Sequence, residues 1–448
     1  MLNVVIIGYV WPEPNSSAAG QNMLSIIKQN RQAGNKVTFL TAATDSVHKA
    51  DLAALGVNSE AIALNCSSFN TRISELKPDV VIFDRYMTEE QFSWRVKEMC
   101  PNALRILNTE DLHSLRQARH DAVKNTGNAA NGNLNTELAQ REVAAILRSD
   151  LTLIISEFEK NLLENHYRVP SKQLRLHPLI VENYDEQPAG FASRQHFVHI
   201  GNFRHAPNWD AVLQLKQHIW PAIRKKLPRA ELHIYGAYLP KKASQLHNLS
   251  QGFLVKGWAE SADEVMSSAK VLLAPIRFGA GIKGKLLDAM KAGTPSVTTW
   301  VGAEGILDTE SKIGTKNLKD KNTPTWPGAL CLPIVSATST HADNGEGING
   351  KIKSNVQSTI DDIAHKATLL YQDEKAWQVE SQKAQALLKH YITKTPTITL
   401  PSQIACLCNE LENHRKSLFL QGLMWHQSLN ATKYMSQWIE EKNKQTNK

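Results

Sequence analysis

Residues 270–295 read KVLLAPIRFGAGIKGKLLDAMKAGTP. The run VLLAPI has the continuous aliphatic content of a strand buried on both faces. In the segment after it, Gly279, Gly281 and Gly284 spell G-x-G-x-x-G, and Lys283 and Lys285 stand among them. KLLDAM then puts Leu286, Leu287 and Met290 on one side of a helix, which Gly293 and Pro295 stop after about two turns. Strand, glycine loop and helix in that order belong to an open parallel sheet. The loop lies outside the carboxyl end of its strand, where such sheets bind ligands. Glycines let the backbone approach a phosphate closely. The helix N-terminus offers free N–H groups and partial positive charge, and two lysines add full charges. Asp288, one turn beyond Lys285, can face the same cleft and accept two ribose hydroxyls.

Taken as a pattern alone, G-x-G-x-x-G suggests a dinucleotide site, and Glu304 falls about 20 residues on, as that fingerprint asks. Three features oppose it. The loop follows the fourth strand of its domain rather than the first. The helix is short, and a dinucleotide pyrophosphate is held mainly by backbone, so lysines are out of place. Glu304 also sits in the glycine-rich turn VGAEG rather than at a strand tip. A tight turn with solvated lysines is the plain structural alternative.

Outward from this segment, strand-like and helix-like stretches alternate twice. Strands are expected at 3–10, 36–42, 61–66, 79–85, 103–111, 151–156 and 173–178, and again at 196–203, 230–236, 252–258, 270–276 and 295–300. Residues 181–194, polar with Pro188 and Gly190, read as a linker. The expected organisation is two Rossmann-like parallel-sheet domains, 1–182 and 195–400, facing a cleft. Residues 308–355 turn polar and read as a surface insertion. Residues 358–370 and two helices over 403–442 follow. The last carries an aromatic face, Tyr434, Trp438 and Ile439, expected to dock on the first domain, so 401–448 returns to it.

The bulk properties are ordinary for a globular chain: 448 residues, 42% apolar and 21% charged. The excess of 51 Lys+Arg over 43 Asp+Glu, +8, suits an anionic ligand or an anionic membrane surface. It is too dilute to indicate nucleic acid. Five cysteines without a C-x-x-C indicate neither a disulfide framework nor a zinc site, and reduced thiols fit a cytoplasmic protein. The N-terminus lacks a basic region and a cleavage site, and no apolar run approaches the ~20 residues of a membrane span. A soluble or peripheral protein is expected.

The segment APIRFGAGIKGKLLDAMKAGTPSVTTWVGAEG resembles the donor-site region of GT-B glycosyltransferases similar to family 4 (group 1). FVHIGNFRHAPNWDAVLQL, 197–215, resembles the opening of their second domain. FDRYMTEEQFSWRV, LNTEDLHSLR and TKYMSQWIEEKN resemble segments of a bacterial branch. The resemblance covers nearly all of the chain except 308–355. It implies a nucleotide-sugar donor on the second domain, an acceptor on the first, and transfer in the cleft with retention. It implies that Lys283 and Lys285, with Arg204, neutralise the diphosphate leaving group, and that Asp288 holds the ribose. The acid that the family usually places eight residues earlier is replaced by Ala280, which leaves donor-sugar recognition open.

In the first domain the resemblance puts His113 close to the transferred sugar; from spacing alone a structural hydrogen-bonding histidine is the simpler reading. Asp111 would orient His113 or an acceptor hydroxyl, and Arg116, one turn on, would meet phosphate. Glu304 is a further candidate for the phosphate or acceptor. Glu110 and Asp111 are adjacent and point apart, so they do not form a working acid pair. Gly20 and the serines of PEPNSSAAGQN fit near the diphosphate or acceptor, or a plain helix cap. No metal and no separate cofactor are expected, the nucleotide sugar being a substrate. The acceptor would be a glycan, a lipid-linked sugar or a small molecule, as in polysaccharide biosynthesis, with peripheral contact at the inner membrane face as an option. Two rivals stay open: an NAD(P)-linked oxidoreductase using the glycine loop, and a GT-B chain reduced to binding, which Ala280 keeps in view.

Overall fold

The computed structural model describes residues 1–182, 184, 186–307, 325–335, 346–427 and 430–446. The first sheet holds β1 (Asn3–Gly8), β2 (Lys36–Thr41), β3 (Asn58–Ala61), β4 (Val80–Asp84), β5 (Leu104–Asn108), β6 (Leu151–Ile154) and β7 (Leu174–Leu176). Its order is β3-β2-β1-β4-β5-β6-β7, and every pairing is parallel. The second holds β8 (Gln195–Ile200), β9 (Leu232–Tyr235), β10 (Phe253–Gly257), β11 (Ala269–Ala274), β12 (Ser296–Thr299) and β13 (Gly328–Cys331). Its order is β10-β9-β8-β11-β12-β13, again parallel throughout. Aliphatic runs become central strands because both faces are covered. Val4, Val5, Ile6 and Ile7 alternate between two apolar clusters and none is exposed.

Both sheets reverse strand order once, at β1/β4 and at β8/β11. Such switch points open a crevice at the carboxyl ends of the strands. The loops leaving β1, β4 and β5 face the loops leaving β8, β11 and β12 across one cleft. Apolar packing crosses it: Ile155 of the first domain belongs to a second-domain cluster, and Ala280 to a first-domain cluster.

Four stretches differ from the sequence expectation. The third strand is Asn58–Ala61, not 61–66; it is a short polar edge strand and has no apolar run to announce it. Within the expected 308–355 insertion, Gly328–Cys331 forms the edge strand β13 beside β12, and the helix Glu346–Gln372 begins. Residues 308–324 and 336–345 of that stretch lie outside the described residues. The helix Glu374–Thr393 has no counterpart in the expectation. It buries Ala384, Leu387, Leu388 and Tyr391 in the cluster that holds the helix Gly284–Lys291, and Trp377 donates to Lys270 O at 2.7 Å. The Tyr391 hydroxyl donates to Leu179 O at 3.0 Å, so this helix also holds the chain just before the linker.

Residues 400–446 form four helices rather than two, Leu400–Asn409, Leu411–Lys416, Phe419–Gln427 and Asn430–Thr446, and they do return to the first domain. Arg415 donates to both oxygens of the fully buried Asp150 carboxylate, at 2.8 and 2.7 Å. The last helix docks by its polar side, through Glu440 with Arg95 and Lys433 with Glu98. Its expected docking face points outward: Tyr434 is 63% and Trp438 59% exposed.

Candidate active site

Residues 270–295 line the second-domain wall of the cleft. β11 ends at Ala274, the loop turns at Gly279 (φ +155°) and Gly281 (φ +62°), and the helix Gly284–Lys291 begins. A Cβ on Gly281 would stand 2.8 Å from Asp111 Cβ, so only glycine lets this loop meet the first domain so closely. Lys283 Nζ donates to Gly281 O at 2.8 Å, and Lys285 Nζ to Asn208 Oδ1 at 2.7 Å. Burial lowers both ammonium groups, Lys285 to about 7 despite the opposing pull of Asp288. Burial raises Asp288 to about 7 in turn. Two amines and an acid are thus held on one loop and the helix that follows it. Arg204, after β8, lays its guanidinium over the Tyr238 ring at 3.7 Å.

Opposite stands the helix His113–Thr126. Asp111 precedes it, pairs with Arg116 and lies 3.6 Å from His113 Nε2. Burial opposes charge on Asp111, but Arg116 and His113 hold its carboxyl well below the usual range. Burial, with Arg116 and Arg85 nearby, depresses His113 to about 3 against the pull of Asp111, so the imidazole is neutral. The structure therefore brings Asp111, His113 and Arg116 together. Glu110 turns away at φ +61° and takes hydrogen bonds from Asn108 (2.7 Å) and Asn22 (3.2 Å). Burial and the neighbouring Asp84 raise it to about 8.

Gly20 and Glu304 occupy other places. Ser17 caps the helix Ala18–Gln32 by accepting from Gly20 N at 3.1 Å, and a Gly20 Cβ would lie 2.2 Å from Glu13 O. Gly20 is thus required where the helix crosses its own incoming loop. The same helix still reaches the site, since a Cβ on Gly284 would lie 2.9 Å from Ala18 Cβ. Both Glu304 oxygens are taken by Arg119, at 2.7 and 2.8 Å, and Arg119 also donates to Gly279 O at 2.7 Å.

Several residues that build the site carry no sequence signal of their own. Arg119 lies one turn beyond Arg116 and reads as a solvated charge. Glu142 accepts from His113 N and Ser114 N, both at 2.9 Å, and fixes the start of the His113 helix. Glu159 accepts from Leu112 N and Gly281 N. Tyr238 reaches across to Glu13 at 2.6 and 2.8 Å, and His48 stacks on Trp258 at 3.9 Å. Tyr9, 45% exposed, carries the Arg85 guanidinium 5.1 Å from its ring, and Arg85 itself sits at φ +70°.

Residues 194–320 match the family model described as glycosyl transferases group 1. No curated protein matches the chain. Solved structures of similar fold include Staphylococcus aureus TarM in complex with fondaparinux, α-GlcNAc-glycerol and UDP (TM-score 0.59, 10% identity, 94% of this chain and 100% of that one). Anabaena Alr3699/HepE with UDP and glucose gives 0.58, 11%, 93% and 100%. Sucrose-phosphate synthase from Thermosynechococcus elongatus gives 0.56, 12%, 93% and 100%. At these identities the likeness carries the fold, and it covers 93–94% of this chain. Residues 194–320 thus match the group 1 glycosyl transferase model, and they lie within a fold of two parallel-sheet domains of the GT-B kind.

Proposed function

We propose that the chain is a retaining glycosyltransferase that moves a sugar from a nucleotide-sugar donor on the second domain to an acceptor on the first. The observation that carries this is that Lys283 and Lys285 stand on the loop whose Gly281 meets Asp111, the partner of His113 and Arg116, across one cleft. When a nucleoside diphosphate departs, negative charge grows on its phosphates. Lys283, Lys285 and Arg204 would stabilise that charge more than they stabilise the bound donor. We assign the diphosphate to these side chains, without a metal. Asp288 would take the ribose hydroxyls. Neutral His113 would hydrogen-bond the transferred sugar, with Asp111 fixing its ring. Domain closure would keep water from the reacting carbon. HepE and TarM are described with UDP, which supports a uridine nucleotide here.

The acceptor would lie against Tyr9 and Arg85, at the first-domain switch point. Tyr9 offers an exposed ring for a sugar face. Arg85 forms no ion pair with a described residue. The outward aromatic face of the last helix, with Lys442 Nζ 5.3 Å from the Trp438 ring, supports peripheral contact with an anionic bilayer and a lipid-linked acceptor. No helix among the described residues is long and apolar enough to cross a membrane.

The test is product formation with a panel of nucleotide sugars and glycan or lipid-linked acceptors, followed by the anomeric configuration of the product. Transfer with the donor's own configuration is expected. Transfer with inversion would refute the retaining assignment, and absence of both transfer and donor hydrolysis would refute the function.

A further inference from the structure

The sequence SEFE, 156–159, is a capping-box pattern, and Ser156 does cap its helix by accepting from Glu159 N at 3.1 Å. A capping-box glutamate ordinarily returns to the backbone of its own cap. Glu159 instead spends its Oε1 on two other amides: Leu112 N at 2.8 Å, at the start of the His113 helix, and Gly281 N at 3.0 Å, in the donor loop. Its Oε2 meets Ser156 Oγ at 3.0 Å, and the residue is 0% exposed. One buried oxygen therefore belongs to both walls of the cleft. Glu142 makes a useful contrast: it holds the next two amides of the same turn, His113 N and Ser114 N, and has no bond to the donor loop.

We propose that Glu159 is a positioning residue for sugar transfer: its Oε1 ties the His113 turn to the Lys283 loop and so sets the distance between the groups facing the sugar and those facing the leaving diphosphate. This rests on the glycosyl-transfer reading of the site. Gly281 is left-handed and has no room for a side chain, so its N–H is presented to the first domain at a fixed place. Leu112 immediately precedes His113, and Lys283 follows Gly281 by two residues and donates back to Gly281 O. A shift of either amide is therefore passed directly to a side chain of the site.

The charged groups facing Glu159 are Asp111 before the His113 helix, Arg116 and Arg119 on it, Lys283 on the donor loop and Glu304 beyond β12. Burial, with Asp111 and Glu304, raises the carboxyl to about 8. Oε1 has two lone pairs, one for each N–H group, while Oε2 accepts from the Ser156 hydroxyl. Glutamine has the same shape and the same acceptor, whereas aspartate is one methylene too short to span both amides.

Amide hydrogen exchange on the ligand-free full chain tests the bridge without any donor. In the wild type, Leu112 N–H and Gly281 N–H are both protected. Glu159→Ala should release both while β5 and β11 stay protected. Glu159→Gln should keep both, and Glu142→Gln should leave Gly281 unchanged. If Glu159→Ala does not fold, Glu159→Asp takes its place, with loss of protection at one or both amides. In the transfer assay, Glu159→Ala should lower kcat by roughly 10²-fold, the scale expected for a misplacement of about 1 Å. Donor KM should move less, and a larger share of donor should be lost to water. Free exchange of Gly281 in the wild type, or unchanged Gly281 protection in Glu159→Ala, overturns the bridge. The two readings fail separately. Protection without any sugar transfer keeps the bridge and removes the enzyme reading. Transfer with an unaltered kcat in Glu159→Ala removes the positioning role alone.

Discussion

Lys285 has an ammonium that burial brings to about 7, beside an Asp288 that burial brings to the same value. A diphosphate arriving at this amine favours its charged form, so donor affinity should depend on pH. For a lysine depressed in this way, the cation is present below pH 7 and is lost as the pH rises through it. Donor Kd, measured by calorimetry from pH 6 to 9, is expected to weaken above pH 7. Lys285→Arg, which keeps its charge at every accessible pH, should flatten that limb. Replacing Lys283 and Lys285 together by alanine should cut turnover by roughly 10²–10³-fold or more. At this scale the sequence was informative where a residue's neighbours are local. Lys283, Lys285 and Asp288 could be placed from one strand–loop–helix. Asp111, His113 and Arg116 could be gathered because they share a single turn. Glu304 could not be placed, because its partner Arg119 is 185 residues away.

The donor loop is held as an element by contacts from the opposite domain. Arg119 joins Gly279 O to Glu304, and the two side chains are only 12% and 10% exposed. Removing one partner of such a pair leaves a buried charge uncompensated, at a cost of about 3 kcal/mol. Arg119→Ala should therefore weaken donor binding by roughly 10²-fold. A double-mutant cycle with Glu304→Ala should show strong coupling, and additive effects would disprove the latch. The helix Glu374–Thr393 supports the loop from behind, yet its sequence does not announce it. Its apolar residues are spaced by glutamines and lysines, and only the tertiary partner, the helix Gly284–Lys291, makes them a core face. β13 was hidden for a related reason. Its four residues, GALC, become a strand only because β12 offers an edge to pair with.

For the whole molecule, buried titrating groups bound the pH range of stability from both sides. Glu110 at about 8 and Glu142 at about 7 lie above the unfolded carboxyl value of about 4.3. The folded state holds more protons between those values, so their contribution declines as the pH rises from about 4.3 to about 8 and then levels off. His113 and His199, each depressed by burial to about 3, lie below the unfolded value of about 6.5, so their contribution is lost as the pH falls below it. Thermal unfolding should show its highest Tm between about pH 4.3 and 6.5, with a fall on either side, and Glu142→Gln should move the maximum to the upper end of that interval. The two parallel sheets were legible from repeated aliphatic runs; the return of the C-terminal helices was expected from an aromatic face that does not make the contact. The outward face of the last helix was not, because aromatic spacing shows that a face exists and not what it meets. Trp438→Ser and Tyr434→Ser should reduce sedimentation with phosphatidylglycerol vesicles by several-fold and leave Tm unchanged; equal sedimentation would exclude that face. The central claim is that the Gly279–Lys285 loop holds a nucleotide-sugar diphosphate. Titration of the wild type and of Lys283→Ala/Lys285→Ala with a nucleotide-sugar panel, and with NADH and NADPH, tests it directly. Saturable binding of a nucleotide sugar, lost in the double variant, is predicted. Saturable nicotinamide binding with no nucleotide sugar bound would contradict it.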